Sequence, residues 1–503
     1  VAAGAFAADP AAQPKAPPKA APKKKAPPKP TIAQLSRQLA ELKALIDAQQ
    51  QLIEEQAATM AAQQTKIDAD AARLAALEQQ LDLLKVQLQA LQQQIPGAEE
   101  QAKIEERLKK IEAENSETPE IPPGVITAGD FPGSIRIPGT DAAIKFGGRI
   151  RAAAVFTLAP LGTDDKFQTN SIPVEPTDAA AGEGARTNFS ANTSRISFEM
   201  RTPVGKVQVR TYIEGDFYGS NAVDANINFR LRHAYAQFKG FLVGQTWSTF
   251  ADPANIPLDM DFEGINGECN VRQSQIRYTA QIRDDLSIAG ALEDPAVSIT
   301  GGEGVNVAPD AVFRTIWTFD KTGHIQSAVV LRDIRGEADA PSTAAGSVFG
   351  WGLELSGVVP IPLKKLEDRF VFQWNFGKGI ARYINDLQSL GGQDAVFNPL
   401  DGSLHALPAV GFYLDYEHTW KRWKMTREMN LRTAVTWSFV DVHNLTFQTG
   451  SAYQQTNRYS VNIVFSPVER IDLGVEYLYG TRRNFDGHTG SADQIQLVGI
   501  FRF

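Results

Sequence analysis

The chain has 503 residues, with 50 Lys and Arg against 58 Asp and Glu, for a net charge of −8. No stretch beyond the N-terminus is persistently basic and no run of 18 apolar residues occurs, which excludes a nucleic-acid binder and a helical membrane protein. A single cysteine, Cys269, excludes an internal disulfide framework and a Cys-based zinc site, while 40 Gly and 27 Phe suit a glycine- and aromatic-rich β-protein.

Residues 1–7, VAAGAFA, end in the small-x-small pattern Ala5-Phe6-Ala7 that signal peptidase selects. They are predicted to be the remainder of a secretory signal, with the mature chain starting at Ala8. Residues 8–31 form a Pro/Lys-rich segment: eight prolines and six lysines stand between Pro10 and Pro30, with no acid among them. Proline fixes φ and lacks a donor, and the lysines repel one another, so the segment is expected to be extended, solvated and disordered in the periplasm. It serves as a plain spacer or, given its charge, contacts an anionic polymer such as peptidoglycan.

A heptad follows over residues 32–96. From Leu35, alternating steps of four and three reach Ile95, and 14 of the 18 seam positions are apolar. A helix packed on a globule does not keep a 3.5-residue period for so long, so an α-helical coiled coil of roughly 90 Å is predicted. The polar seam residues Gln49, Gln56, Gln63 and Asp70 all fall at d, and such layers specify strand number. A dimer stays open, and the region that follows favours a trimer. Pro96-Gly97 ends the helix, and residues 97–130 are predicted to be a short helix with Ile104, Leu108 and Ile111 on one side, then a linker.

From Phe131 to Phe503 the period changes to two. Ile495, Leu497, Gly499, Phe501 and Phe503 share one face, against Gln494, Gln496 and Arg502 on the other. A soluble sandwich also alternates. Strands of about ten residues, short turns alternating with long loops, and an aromatic residue closing the last strand favour a membrane barrel instead. Sixteen crossings are predicted, at 144–158, 192–202, 205–218, 227–238, 240–247, 271–282, 286–293, 311–319, 324–333, 347–359, 369–380, 406–418, 430–440, 456–466, 471–481 and 492–503. The expected fold is a transmembrane antiparallel β-barrel of about 16 strands with an N-terminal α-helical coiled coil. Its surroundings would be the lipid and lipopolysaccharide of a Gram-negative outer membrane. The even strand count puts both barrel ends on the periplasmic side with the coil, and a 16-stranded barrel leaves an aqueous lumen.

With the apolar faces toward lipid, the opposite faces carry Lys145, Arg149, Arg151, Arg195, Arg201, Arg210, Arg230, Arg232, Arg277, Arg314, Arg332 and Arg432. The acids placed there are Glu199, Glu214, Asp216, Glu354 and Glu476. An arginine facing lipid near midplane costs about 2–4 kcal/mol, so inward placement is favoured. Twelve cations against five acids predict an anion-preferring channel for small anionic solutes, with bracing of the wall by ion pairs as the competing role. The loop over residues 248–270 carries Asp252, Asp259, Asp261, Glu263 and Glu268. As the third external loop it is expected to fold inward as a constriction, with an outward fold as the alternative. Asp259-x-Asp261-x-Glu263-Gly264 looks like the start of a calcium loop, but Asn270 stands at the twelfth position, so no metal is expected. No cofactor is expected, and no nucleophile–base grouping suggests an enzyme. Asp415, Glu417 and His418 are expected to form a polar rim, and Trp420 and Trp423 to mark the periplasmic boundary.

The stretch Phe229-Arg-Leu-Arg-His-Ala-Tyr-Ala-Gln-Phe-Lys-Gly-Phe-Leu-Val-Gly-Gln-Thr-Trp-Ser-Thr-Phe-Ala-Asp-Pro253 resembles the fourth and fifth strands of DcaP-type porins, which also carry an N-terminal coiled coil. The resemblance implies a homotrimeric outer-membrane porin that takes up small anions, notably dicarboxylates, past arginines at a constriction. Arg230 and Arg232 match that motif directly. Two alternatives remain open. One is a sugar-selective porin, which would need a file of lumenal aromatics, and the other is a structural tether between outer membrane and peptidoglycan.

Overall fold

The computed structural model describes residues 127–174, 184–219, 228–319, 322–339, 344–361, 367–390, 393–420 and 429–503, together with Lys85. The predicted signal remnant and Pro/Lys segment lie outside the described residues. So do the coiled coil apart from Lys85, the linker up to residue 126, and Trp423.

Among the described residues the two-residue period builds sixteen long strands. They are β1 (Ala143–Thr157), β2 (Arg195–Val204, with an extension Arg186–Ser190), β3 (Val207–Asp216), β4 (Arg230–Phe238), β5 (Phe241–Trp247) and β6 (Arg272–Arg283). Then come β7 (Leu286–Glu293), β8 (Asp310–Phe319), β9 (Gly323–Ala338), β10 (Ala345–Pro360) and β11 (Arg369–Lys378). The last five are β12 (Pro408–Thr419), β13 (Asn430–Val442), β14 (Tyr453–Val468), β15 (Ile471–Asn484) and β16 (Thr489–Arg502). Each pairs antiparallel with its neighbour, and β16 returns to β1 through the run Arg149↔Arg502 to Thr157↔Gln494. Closure removes the free edges that an open sheet would expose. All sixteen predicted crossings are present. The structure extends several of them toward the long loops, with β9 and β14 reaching 16 residues while β5 has seven.

Alternation sorts the side chains. On β15, Leu473, Val475, Tyr477 and Tyr479 are exposed on the outside, while Asp472, Gly474, Glu476 and Leu478 are buried inside. The same outward band includes Phe146, Ile276, Phe313, Phe349 and Val435. An apolar surface of this extent, wrapped round a barrel, is one that lipid rather than water must cover.

Short turns such as Gly205-Lys206 and Lys239-Gly240 close one end of the barrel, and the long loops crowd the other. The third long loop, between β5 and β6, runs down inside the barrel instead of outward. Its root, Phe250 and Ala251, packs in an apolar cluster with Ala291, Val312, Ala328 and Val330 of the wall. Beyond that, Asn255 donates to the Phe372 carbonyl (3.0 Å), the Leu258 N–H to Glu417 (3.0 Å), and the Met260 N–H to Glu476 (2.9 Å). On its return the loop touches the wall again at Gly267, where a Cβ would stand 2.5 Å from the Phe412 carbonyl oxygen. Only glycine permits that approach of two backbones. The loop between β11 and β12 folds beside it, and its buried Asp386 accepts from Thr169 (2.8 Å), Tyr453 (2.7 Å) and Thr456 (2.7 Å). The inward loop thus lies against the wall of β10 to β16 and faces the wall of β1 to β6 across open space.

Candidate functional site

That open space is a cavity of about 460 Å³. Seven cations line it, Arg149, Arg151, Lys166, Arg195, Arg230, Arg232 and Arg272, against the four loop acids Asp259, Asp261, Glu263 and Glu268. On β4, His233 pairs with Glu214 and Leu231 with Gly215, so Arg232 is an extra residue in a β-bulge. The bulge turns the adjacent Arg232 and His233 both inward, with Arg230 on the same side. The parity change from Arg230 and Arg232 to Tyr235 and Gln237 is visible in the sequence and is the signal that could have located it.

The guanidiniums differ in how far they are neutralised. Asp216 holds Arg230 (2.8 Å) and Arg232 (2.9 Å), and Glu214 holds Arg232 (3.0 Å) but Arg195 only at 3.7 Å. Arg151 donates to the Thr193 hydroxyl (3.0 Å) and the Met260 carbonyl, not to an acid. Arg272 lies over the Trp247 ring at 4.5 Å. Arg149 and Arg272 have no ion-pair partner among the described residues. Two unit charges about 6 Å apart repel by roughly 0.7 kcal/mol in water and roughly 2.8 kcal/mol at an effective dielectric near 20. A bound anion relieves that repulsion.

The facing acids are mostly engaged behind the loop. Arg458, only 1% exposed, bridges Asp259 (3.1 Å) and Asp261 (3.6 Å), and Gln496 also donates to Asp261 (2.7 Å). Lys166 meets Glu263 at 2.7 Å. Glu268 has no ion pair among the described residues, and burial pushes its carboxyl up to about 8. A group with that pKa is largely protonated at neutral pH, so it subtracts little from the positive charge opposite.

The remaining sequence-predicted residues lie elsewhere. Arg201 and Arg210 both hold Glu199 at the short-turn end (2.7 and 2.9 Å), where Lys145 is exposed. Arg432 pairs with Asp472 (3.3 Å). Arg332, fully buried, is locked between Asp310 (3.0 Å) and Asp394 (2.8 Å), so it does not line open space as expected. Arg277 and Arg314 face inward below the cavity. Asp252 accepts from His324 (2.7 Å) and Ser356 (2.8 Å) and anchors the loop rather than facing the arginines.

Inward acids are also more numerous than the five the sequence suggested. Glu293, Asp310, Asp415, Glu417 and Asp472 are buried in the wall as well, so the positive excess belongs to the cavity and not to the whole interior. The expected rim of Asp415, Glu417 and His418 is split. Asp415 accepts from Thr436 and Glu417 from Arg369 inside, whereas His418 turns to Asp368 (2.8 Å) beside Trp420. Sequence reasoning missed Arg458, Lys166 and Arg272. Arg458 shares the parity of Ser460 and Asn462 and was open to detection. Arg272 has outward parity and reaches the cavity only because it begins its strand, where the chain leaves the loop.

A family model, DcaP outer membrane protein, matches residues 134–503. Among solved structures, the outer membrane channel DcaP of Acinetobacter baumannii matches at 21% identity and a TM-score of 0.63, covering 75% of this chain and 100% of that one. An anion-selective porin from Comamonas acidovorans matches at 10% identity and a TM-score of 0.47, over 72% of this chain and 100% of its own. A loop-deletion mutant of OmpT from Vibrio cholerae matches at 12% identity and a TM-score of 0.44, over 72% and 99%. No curated protein matches the chain. With the family model spanning the whole closed barrel and the constriction loop inside it, this chain belongs to the DcaP outer membrane protein family, a family of barrel channels.

Proposed function

We propose that the barrel is an anion-preferring porin for small carboxylates, dicarboxylates in particular, working without catalysis. The observation that carries this reading is the cavity's seven cations, three of them (Arg149, Arg151 and Arg272) without an ion-pair partner among the described residues, opposite four acids of which three are held by cations. Planar guanidiniums grip carboxylates bidentately, and a chain of such contacts favours entry while leaving exit fast. In this reading the short-turn end is periplasmic and the long loops are external. The protein assembles as a homotrimer in outer-membrane lipid and lipopolysaccharide, with residues 32–96 forming a trimeric coiled coil in the periplasm. The Pro/Lys-rich residues 8–31 lie beyond the coil as a spacer or a peptidoglycan contact.

Reversal potentials across planar bilayers in a salt gradient test the selectivity. The wild type is expected to prefer chloride over potassium, and R149Q/R272Q to lose most of that preference. A wild-type preference for cations overturns the proposal.

A further inference from the structure

Away from the cavity, on the wall made by β6, β7 and β8, stand two more inward arginines. Arg277 of β6 pairs across the sheet with Ala291, and Arg314 of β8 pairs with Ala289. One strand separates them and their registers differ by two residues. Strands about 4.8 Å apart rising about 3.4 Å per residue put their Cα atoms roughly 12 Å apart, within the combined reach of two arginine side chains. The charge felt most strongly by Arg277 is that of Arg314. Neither guanidinium has a hydrogen-bond or ion-pair partner among the described residues, and Arg277 Nε is buried without an acceptor.

The neighbouring groups explain why no partner reaches them. Between the two arginines β7 turns only Ala289 and Ala291 inward, and neither can accept a hydrogen bond through its side chain. Three carboxylates exert charge on the pair, and each is engaged elsewhere. Glu293 accepts from the Ser248 hydroxyl (2.6 Å), the Thr249 N–H (2.6 Å) and Gln273. Asp252 is taken by His324 and Ser356, and Glu354 accepts from Gln326 and Gln373 (3.2 Å each). Two guanidiniums facing the barrel interior, whose N–H groups no described side chain engages, are a site for an oxyanion that can accept from both.

We infer that Arg277 and Arg314 form a second oxyanion site, distinct from the 460 Å³ cavity, that takes a carboxylate moving between the cavity and the short-turn end. Five residues of β6 separate Arg272 of the cavity from Arg277, roughly 17 Å along the strand, so the two sites are loaded one after the other. The inference rests on the anion reading above and adds to it a discrete place of binding.

Two measurements on the full chain test it. Crystals of the wild type grown with selenate as probe are expected to show an anomalous peak between the two guanidiniums, in addition to density in the cavity. In bilayers, succinate added on the short-turn side is expected to block current in discrete events, and R277Q/R314Q to lower their rate about tenfold or more, with R277K/R314K restoring part of it. Heat-modifiable migration on gels shows which variants have folded, and the selenate experiment needs none of them. A selenate peak in the cavity with none at the pair overturns the site. So does an event rate within about twofold of wild type in a folded double-glutamine variant. Cation preference of the wild-type channel overturns the anion reading itself, and is recorded before any variant is made.

Discussion

The two walls of the barrel interior treat charge in opposite ways. From β10 to β16 the wall backs the inward loop, and arginines on it meet acids: Arg369 with Glu417, Arg432 with Asp472, Arg458 with Asp259 and Asp261. From β1 to β6 the wall borders open space, and Arg149 and Arg272 stand without acids while Arg195 is held loosely at 3.7 Å. The strands on both sides carry inward arginines, so strand sequence is not what separates the walls. The cause is dehydration. Where a loop displaces water, an unpartnered charge is too costly to keep, and where water remains, a solute can take the partner's place.

Removing the central cation of the covered wall is the most severe way to break this contrast. Arg458→Met leaves Asp259 and Asp261 buried without their counter-charge, a loss of about 3–5 kcal/mol from the loop's docking. Urea unfolding of detergent-solubilised protein is expected to show a lower midpoint, and single-channel traces a noisier, wider channel. Gly267→Ala acts on the same loop by shape alone, because the new methyl group would press on the Phe412 backbone. Its expected cost is smaller, roughly 1–3 kcal/mol, with raised conductance noise as the readout.

The mildest test sharpens the open wall. Burial holds the Glu268 carboxyl near pH 8, so raising pH from 7 to 9 converts it from neutral to negative beside the arginines. Anion preference measured by reversal potential is expected to fall across that window and to stay flat in Glu268→Gln. A preference that drops equally in the variant would assign the titration to another group.

The period of two in 131–503 exposes all sixteen crossings, because alternation is imposed by lipid on every strand alike. What lies inside the barrel is less legible. Arg332 has inward parity like Arg149, yet Asp394, 62 residues away on a loop, closes over it. Nothing local distinguishes the two. Arg272 and Trp247 break parity at strand ends, where the chain is already turning into the loop. Acids such as Glu293 and Asp310 carry no local mark, because isolated carboxylates in a strand look like surface residues until a loop amide or hydroxyl is brought to them. Long-range loop packing decides which inward charges stay open, and it has no short-range pattern.

The bulge on β4 has one more consequence. A regular strand can offer a given face only every second side chain, which caps how many cations one strand can present per unit length. Arg230 and Arg232 keep that every-second spacing, and the bulge at Arg232 lets His233, Tyr235 and Gln237 follow them on the same inner face, so polar side chains continue from the cavity along the strand without a gap. Deletion of a single codon at this point would therefore turn either the two arginines or the polar residues beyond them toward lipid, a change of face that an exchange of one amino acid in register does not produce.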